Sequence, residues 1–225
     1  MIKELGQLIE DCREELEDEV APYLWTDEYL TKRLNEAVEE AAIRARLLVE
    51  SDREDICQIT LVPDQAQYTL HESVLVIRRA VLASDRSEPI CRTTTAALDG
   101  HRCRWREETG TPEFLVRDQQ ARTITIAPIP TAADVLHLTV WRLPTDDELM
   151  EDDGDEPCIE QTYHDKLMHW ACFRALSRRD MEQQSTKDAD RHLSIFEAVF
   201  GERPTAAHLQ SLAIDPVTGT APVWF

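Results

Sequence analysis

The chain has 225 residues, 42% of them hydrophobic, and a formal net charge of −20 from 44 Asp and Glu against 24 Lys and Arg. That length can bury a real core, as one large domain or two small ones, while so negative a chain argues against tight nucleic-acid binding, which draws on neutralised phosphates. No apolar run approaches the roughly 18–20 residues of a membrane span, and Met1-Ile2-Lys3-Glu4 lacks the basic-then-apolar start of a secretory signal, so a soluble protein made in a cytoplasm is expected.

Charge is unevenly spread. Residues 1–54 hold 16 acidic and 7 basic side chains, residues 55–142 hold 11 and 10, and residues 143–225 hold 17 and 7. A balanced middle between two acidic ends marks an architectural boundary, and the change in periodicity described next falls with it. Acidic ends suit a surface that should not adhere to nucleic acid.

In the first stretch Ile2, Leu5, Ile9, Cys12, Leu16 and Val20 recur at near-helical steps, predicting a helix over residues 2–20 with Pro22 at or beyond its end. Thr26 then offers a capping hydroxyl, followed by Asp27 and Glu28 beside the positive end of a second helix. Leu30, Leu34, Ala37, Ala41, Ala45 and Leu48 form its stripe, and Trp25 is placed to staple its start. Residues 1–54 therefore read as a helical hairpin.

From Ile56 the pattern becomes β-rich. Runs at 56–61, 74–77, 114–116, 123–126 and 135–140 are separated by turn signals such as Pro63-Asp64, Gly110-Thr111-Pro112 and Pro128-Ile129-Pro130. Hairpin-length connections predict a small antiparallel sandwich or barrel over residues 55–145. Residues 146–156 then place eight carboxylates in eleven positions, the composition of a solvated loop.

Two amphipathic helices follow between Tyr163 and Gly201. Leu167, Met168, Ala171, Cys172, Ala175 and Leu176 form one stripe, with Trp170 beside it. Ser185 with Asp188 reads as the start of the next helix, whose face is Ala189, Leu193, Phe196 and Phe200. Gly201 suits the left-handed residue that ends it. After the 146–203 segment comes a C-terminal stretch, 204–225. It has one short helical pattern (Ala207, Leu209, Leu212), a Pro- and Gly-punctuated run, and a Val223-Trp224-Phe225 end. The fold class is α+β: a bundle of N- and C-terminal helices, an inserted antiparallel β-sandwich or barrel, and an extended C-terminal tail.

Site chemistry is sparse. A calcium loop around Gly154 would take Glu151, Asp153 and Glu160, but its first position is Leu149 and Pro157 falls inside it. His101-x-Cys103 and the pair His164/His169 lack the second half of a zinc site. Cys12, Cys57, Cys91, Cys103, Cys158 and Cys172 include no Cys-x-x-Cys pair and read as free thiols. No nucleophile elbow, phosphate loop or zinc-protease motif is present, so no cofactor, metal or catalytic residue is assigned. A hydrolase using Asp165, Asp180 or Asp188 rests only on the abundance of carboxylates. Arg102, Arg104 and Arg106 alternate as if along a strand, which would aim three guanidiniums to one side, either at an acidic partner or nucleic acid or simply into solvent.

Taken in order, Leu24-Trp25-Thr26-Asp27-Glu28-Tyr29-Leu30 leading to Leu34-Asn35-Glu36-Ala37-Val38-Glu39-Glu40-Ala41-Ala42 opens a longer pattern. It continues through Gly110-Thr111-Pro112 with Phe114 and ends on Tyr163-His164-Asp165-Lys166-Leu167 with Trp170, Ala175-Leu176, Asp180, Ala189, His192, Phe196 and Phe200-Gly201. This arrangement resembles the head-to-tail connector, or portal adaptor, proteins of tailed bacteriophages. The resemblance implies a structural, non-enzymatic protein of the virion neck. It implies a helical bundle, with Leu30, Leu34, Ala37, Ala41, Leu167, Ala171, Ala175, Leu193, Phe196 and Phe200 in its core. It further implies a homo-oligomeric ring, a dodecamer, docked under the portal protein and meeting tail, nozzle or gatekeeper proteins. Genomic DNA passes through such a ring without sequence-specific binding, and no membrane is involved.

In the C-terminal stretch, apolar and aromatic residues on a flexible arm are typical anchors that order on binding. Leu209, Leu212, Ile214, Val217, Val223, Trp224 and Phe225 are therefore the expected portal-docking residues, the alternative being that the arm folds back on its own helices. A neighbouring neck ring, gatekeeper or collar, and a non-viral interaction scaffold are the alternative readings of the whole chain. His164, His169 and His192 are expected at packing or hydrogen-bonding positions.

Overall fold

The computed structural model describes residues 2–178 and 183–214. Its helices are α1 (Leu5–Glu15), α2 (Asp27–Ala45), α3 (Glu54–Cys57), α4 (Thr95–His101), α5 (His164–Leu176), α6 (Gln183–Phe200) and α7 (Ala206–Leu212). Its strands are β1 (Val49–Glu50), β2 (Gln58–Leu61), β3 (Gln67–Thr69), β4 (Val74–Leu82), β5 (Cys91–Thr93), β6 (Thr109–Gly110), β7 (Phe114–Val116), β8 (Thr123–Ala127), β9 (Ile129–Pro130) and β10 (Asp134–Arg142). The fold is mixed α+β. The chain divides into two units, residues 1–48 with 142–204 and residues 49–141 with the chain from 205.

In the first unit α1, α2, α5 and α6 pack on one another around one apolar core. Leu5, Leu8, Ile9 and Cys12 bury the inner face of α1. This helix is shorter than its periodicity suggests: it stops at Glu15, and Ile2 and Val20 are exposed, at 45% and 82%. The stop has a local cause. The Asp18 carboxylate accepts from the backbone N–H of Leu24 (2.8 Å) and Trp25 (3.0 Å) and pairs with Arg13 (3.2 Å), so residues 16–25 fold around it instead of continuing the helix.

Thr26 caps α2 through its hydroxyl, which accepts from Tyr29 N at 3.2 Å. Buried Trp25 stacks on Tyr29 at 5.2 Å, fixing the start of the helix. Leu30, Leu34, Ala37 and Ala41 are fully buried, and the small alanines leave room for the close approach of α5. Arg46 then takes a left-handed conformation (φ 56°). That break leaves Ala45 exposed, against the expected stripe, and returns Leu48 to the core.

Leu167, Ala171, Cys172 and Ala175 bury the matching face of α5, with Trp170 beside them. The Cys12 thiol hydrogen-bonds Cys172 inside this core, and that bond together with burial raises its pKa well above the usual thiol value. Helix α6 already includes Gln183, so Ser185 lies within it and not at its cap as expected. Ala189, His192, Phe196 and Phe200 are buried, and Leu193 packs at the edge of the core. Gly201 (φ 85°) ends the helix, its N–H donating to Glu197 O at 2.8 Å.

In the second unit β10 pairs antiparallel with β1 (Val49 opposite Trp141) and with β2 (Leu61 opposite Asp134), and also pairs with β4. A second four-stranded sheet runs β3-β8-β7-β5, and β6 and β9 form a two-stranded ribbon. No sheet among the described residues closes into a barrel. Nor is the pairing wholly antiparallel as expected: β5–β7 and β6–β9 are parallel. A parallel pair needs a crossover, and between β5 and β7 the segment holding α4 supplies it. Leu61, Ile77, Leu136, Leu138 and Val140 from the first sheet and Tyr68, Leu115, Ile124 and Ile126 from the second share one core. Ile56 and Cys57, expected to begin a strand, instead close the turn of α3, both N–H groups donating to Arg53 O.

Candidate interaction surfaces

The acidic stretch is anchored rather than a free solvated loop. Met150 is buried, and Asn35 on α2 clamps its backbone, receiving Met150 N at 3.0 Å and donating to Met150 O at 2.9 Å. Leu5 N and Gly6 N at the start of α1 donate to the carbonyls of Asp155 (2.8 Å) and Asp153 (2.9 Å). These are the unpaired donors of a helix start, so the segment caps α1. Glu148 receives both terminal nitrogens of Arg142, at 2.5 and 2.6 Å, and the backbone and hydroxyl of Thr145. The Arg142 guanidinium foremost, with the Thr145 donors, holds the Glu148 carboxyl down to about 2. The Asp155 carboxylate accepts from Glu151 N and Asp152 N, both at 2.8 Å, which lowers its pKa. Glu151, Asp152, Asp153 and Glu156 remain exposed on this fixed frame.

Arg102, Arg104 and Arg106 do not line a strand. Arg102 caps the C-terminal end of α4, and residues 103–107 are turns. The reason is Trp105, 2% exposed, which turns inward onto Leu98, Val116 and Ala127 and donates its indole N–H to Asp99 at 2.8 Å. The arginines then have local partners: Arg102 pairs with Glu108 and Glu113, Arg104 with Glu107, and Arg106 with Asp99.

Of the expected docking residues, Leu209 and Leu212 lie on α7 and Ile214 just after it, while Val217, Val223, Trp224 and Phe225 lie outside the described residues. The helix is capped by Thr205, whose hydroxyl accepts from His208 N at 3.2 Å, and none of its residues is fully buried. Leu209 and Ile214 line a groove of about 730 Å³ with Leu75 and Arg117. The Leu212 carbonyl accepts from Arg92 at 3.4 Å. Arg117 donates to the carbonyls of Leu75 (2.8 Å) and Val74 (3.2 Å), and burial lowers its pKa.

The three histidines of α5 and α6 are buried and bonded. His164 donates through Nε2 to Ile159 O at 3.0 Å and accepts from Lys3 N at Nδ1, 3.3 Å. His169 and His192 meet Nδ1 to Nδ1 at 3.0 Å, joining α5 to α6, with Glu15 Oε1 3.7 Å from His192 Nε2. Burial lowers both pKa values, and for His169 the neighbouring His192 adds to the effect. Among the described residues no group of three His, Cys, Asp or Glu is arranged to hold a metal ion.

One surface had no signal in the pattern. Arg33, Arg174 and Arg178 gather with Tyr29 and Phe173 around a cleft of about 470 Å³. Arg33 lies on α2, and more than a hundred residues later come Arg174 on α5 and Arg178 just past its end. The Arg174/Arg178 spacing of four is the one trace of it visible in the chain.

What these geometries provide is contact surface: fixed exposed carboxylates, a guanidinium–aromatic cleft and a groove of mixed polar and apolar lining beside α7. The family model described as SU10 adaptor protein matches residues 3–218, and the chain belongs to that family of tailed-phage head-to-tail adaptors. No curated protein matches it.

Proposed function

We propose that this adaptor assembles as a homo-oligomeric ring, a dodecamer, beneath the portal of a tailed phage. There it extends the DNA channel and offers the tail, nozzle or gatekeeper proteins their platform. The family match over residues 3–218 carries the reading. In this reading the four packed helices are the bundle and the two four-stranded sheets are an inserted sandwich. The net charge of −20 supports passage over binding, since carboxylates lining a channel repel duplex DNA and let it slide.

The portal-docking arm is the chain from Leu209 through Leu212, Ile214, Val217 and Val223 to Trp224 and Phe225. Negative-stain imaging of the purified protein, alone and mixed with purified portal, tests the reading: rings that join portal are expected. A protein recruited only by tail-side partners would place it in a gatekeeper or collar ring. Deleting residues 215–225 should leave a folded protein that no longer joins portal, and unchanged recruitment would refute the role of the arm.

A further inference from the structure

The helical unit, residues 1–48 and 142–204, holds 29 Asp and Glu against 14 Lys and Arg. Inside it, Arg33, Arg174 and Arg178 line one cleft, and a single carboxylate, Glu36, pairs with both Arg33 and Arg174 (the latter at 2.6 Å). Arg178 has no carboxylate partner among the described residues. Its guanidinium lies over Trp25 (5.4 Å) and Tyr29 (5.6 Å), while Arg33 lies over Tyr29 from 5.3 Å. A guanidinium stacked on an aromatic face keeps its edge N–H donors free for a carboxylate or phosphate, and the ring beneath fixes its orientation. The cleft is thus a positive, aromatic-floored site on a strongly negative body.

We infer that this cleft receives the acidic segment Asp146–Glu156 of a second copy of the chain, an inference that rests on the ring reading above. Charge complementarity selects that occupant. Copies carrying −20 each repel, so a ring of them needs faces where opposite signs meet. A ring contact is heterologous, one patch against a different patch of the neighbour, and each copy brings both halves. The acidic half is already rigid: Asn35, Arg142 and the start of α1 hold it, and Glu151, Asp152, Asp153 and Glu156 stand exposed. A duplex is a poorer match, because its continuous phosphates would meet the surrounding carboxylates along its length.

The test is a charge swap. One variant carries Arg174→Glu and Arg178→Glu; the other carries Glu151→Lys and Asp152→Lys, at exposed side chains. Mass is read by analytical ultracentrifugation at low and high salt, with portal added if the wild type needs it, and thermal unfolding by circular dichroism confirms that each variant folds. Each variant alone should fail to form the wild-type assembly, and an equimolar mixture should restore it, since each supplies the charge that the other lacks. Arg178→Glu alone, which breaks no ion pair among the described residues, should weaken assembly at least tenfold. If both variants assemble as the wild type does, or the mixture fails to rescue, the contact is refuted and the ring reading stands. A wild type that forms no ring with or without portal overturns both. Normal rings that have lost portal or DNA would give the cleft a different occupant and overturn the inference.

Discussion

Truncating Phe196 to alanine removes a fully buried ring that lies 5.2 Å from Trp170 and 4.5 Å from Phe200, centroid to centroid. Phe→Ala in a packed core costs about 3–5 kcal/mol, and each lost aromatic pair is worth about 0.5–1.5 kcal/mol beyond burial. Because two rings lose a neighbour here, roughly 4 kcal/mol is expected. Arg44 adds a further loss, its guanidinium lying over both Phe196 (5.4 Å) and Trp170 (5.1 Å). Urea unfolding followed by far-ultraviolet circular dichroism and tryptophan fluorescence should show the midpoint falling by about 1–2 M, given slopes of about 2–3 kcal/mol per molar for a chain of this size. Val199→Ala, on the solvent side of the same helix at 37% exposure, is the control and should stay within about 0.5 kcal/mol. A Phe196→Ala loss below about 1 kcal/mol would refute the claim that this face holds α6 in place.

Other expectations follow from the titrating groups and caps. Glu148 titrates lower in the folded protein than its ordinary 4.5, so its stabilising contribution is present above that value and is lost as pH falls towards about 2. Glu148→Gln should remove that component from an acid-unfolding curve, and a curve identical to wild type would refute it. His169 and His192 titrate below 6.5 in the folded state, so the unfolded chain takes up protons first and stability falls as pH drops through and below that value. Glu15 on α1, Asp165 and Lys166 on α5, and Asp188 and Arg191 on α6 are the charged groups around the pair. Histidine resonances titrating at or above the ordinary value would contradict the buried pair. Thr26→Ala removes the hydroxyl that caps α2 and should cost about 1 kcal/mol in thermal or chemical unfolding, with glycine there costing less.

Long periodic stripes were legible because burial repeats at a fixed step. Leu30, Leu34, Ala37 and Ala41, or Ala189, Phe196 and Phe200, announce both the helix and its inner face. So were the β-rich runs at 114–116 and 135–140, which fall within β7 and β10, where Leu136, Leu138 and Val140 alternate inward. What stayed hidden depends on contacts distant in sequence or on a single dominant side chain. Gln67-Tyr68-Thr69 is too short and polar to read as a strand until β8 pairs with it. The Arg102–Arg106 alternation imitates a strand, but burying Trp105 is worth more than keeping an extended backbone. The acidic stretch looked unconstrained because its anchors, Asn35 and the first turn of α1, lie more than a hundred residues away. The arginine cleft escaped for the same reason.

Leu48 and Arg142 stand where the helical unit is interrupted, and Arg142 N donates to Leu48 O at 3.0 Å. Residues 49–141 thus leave and rejoin that unit at neighbouring points. An insert attached in this way is a cassette. A bridge of a few residues from 48 to 142 should leave α1, α2, α5 and α6 able to fold without it. Over evolutionary time, the same junction would let a lineage lengthen, shorten or exchange its β module while the helical framework is inherited unchanged.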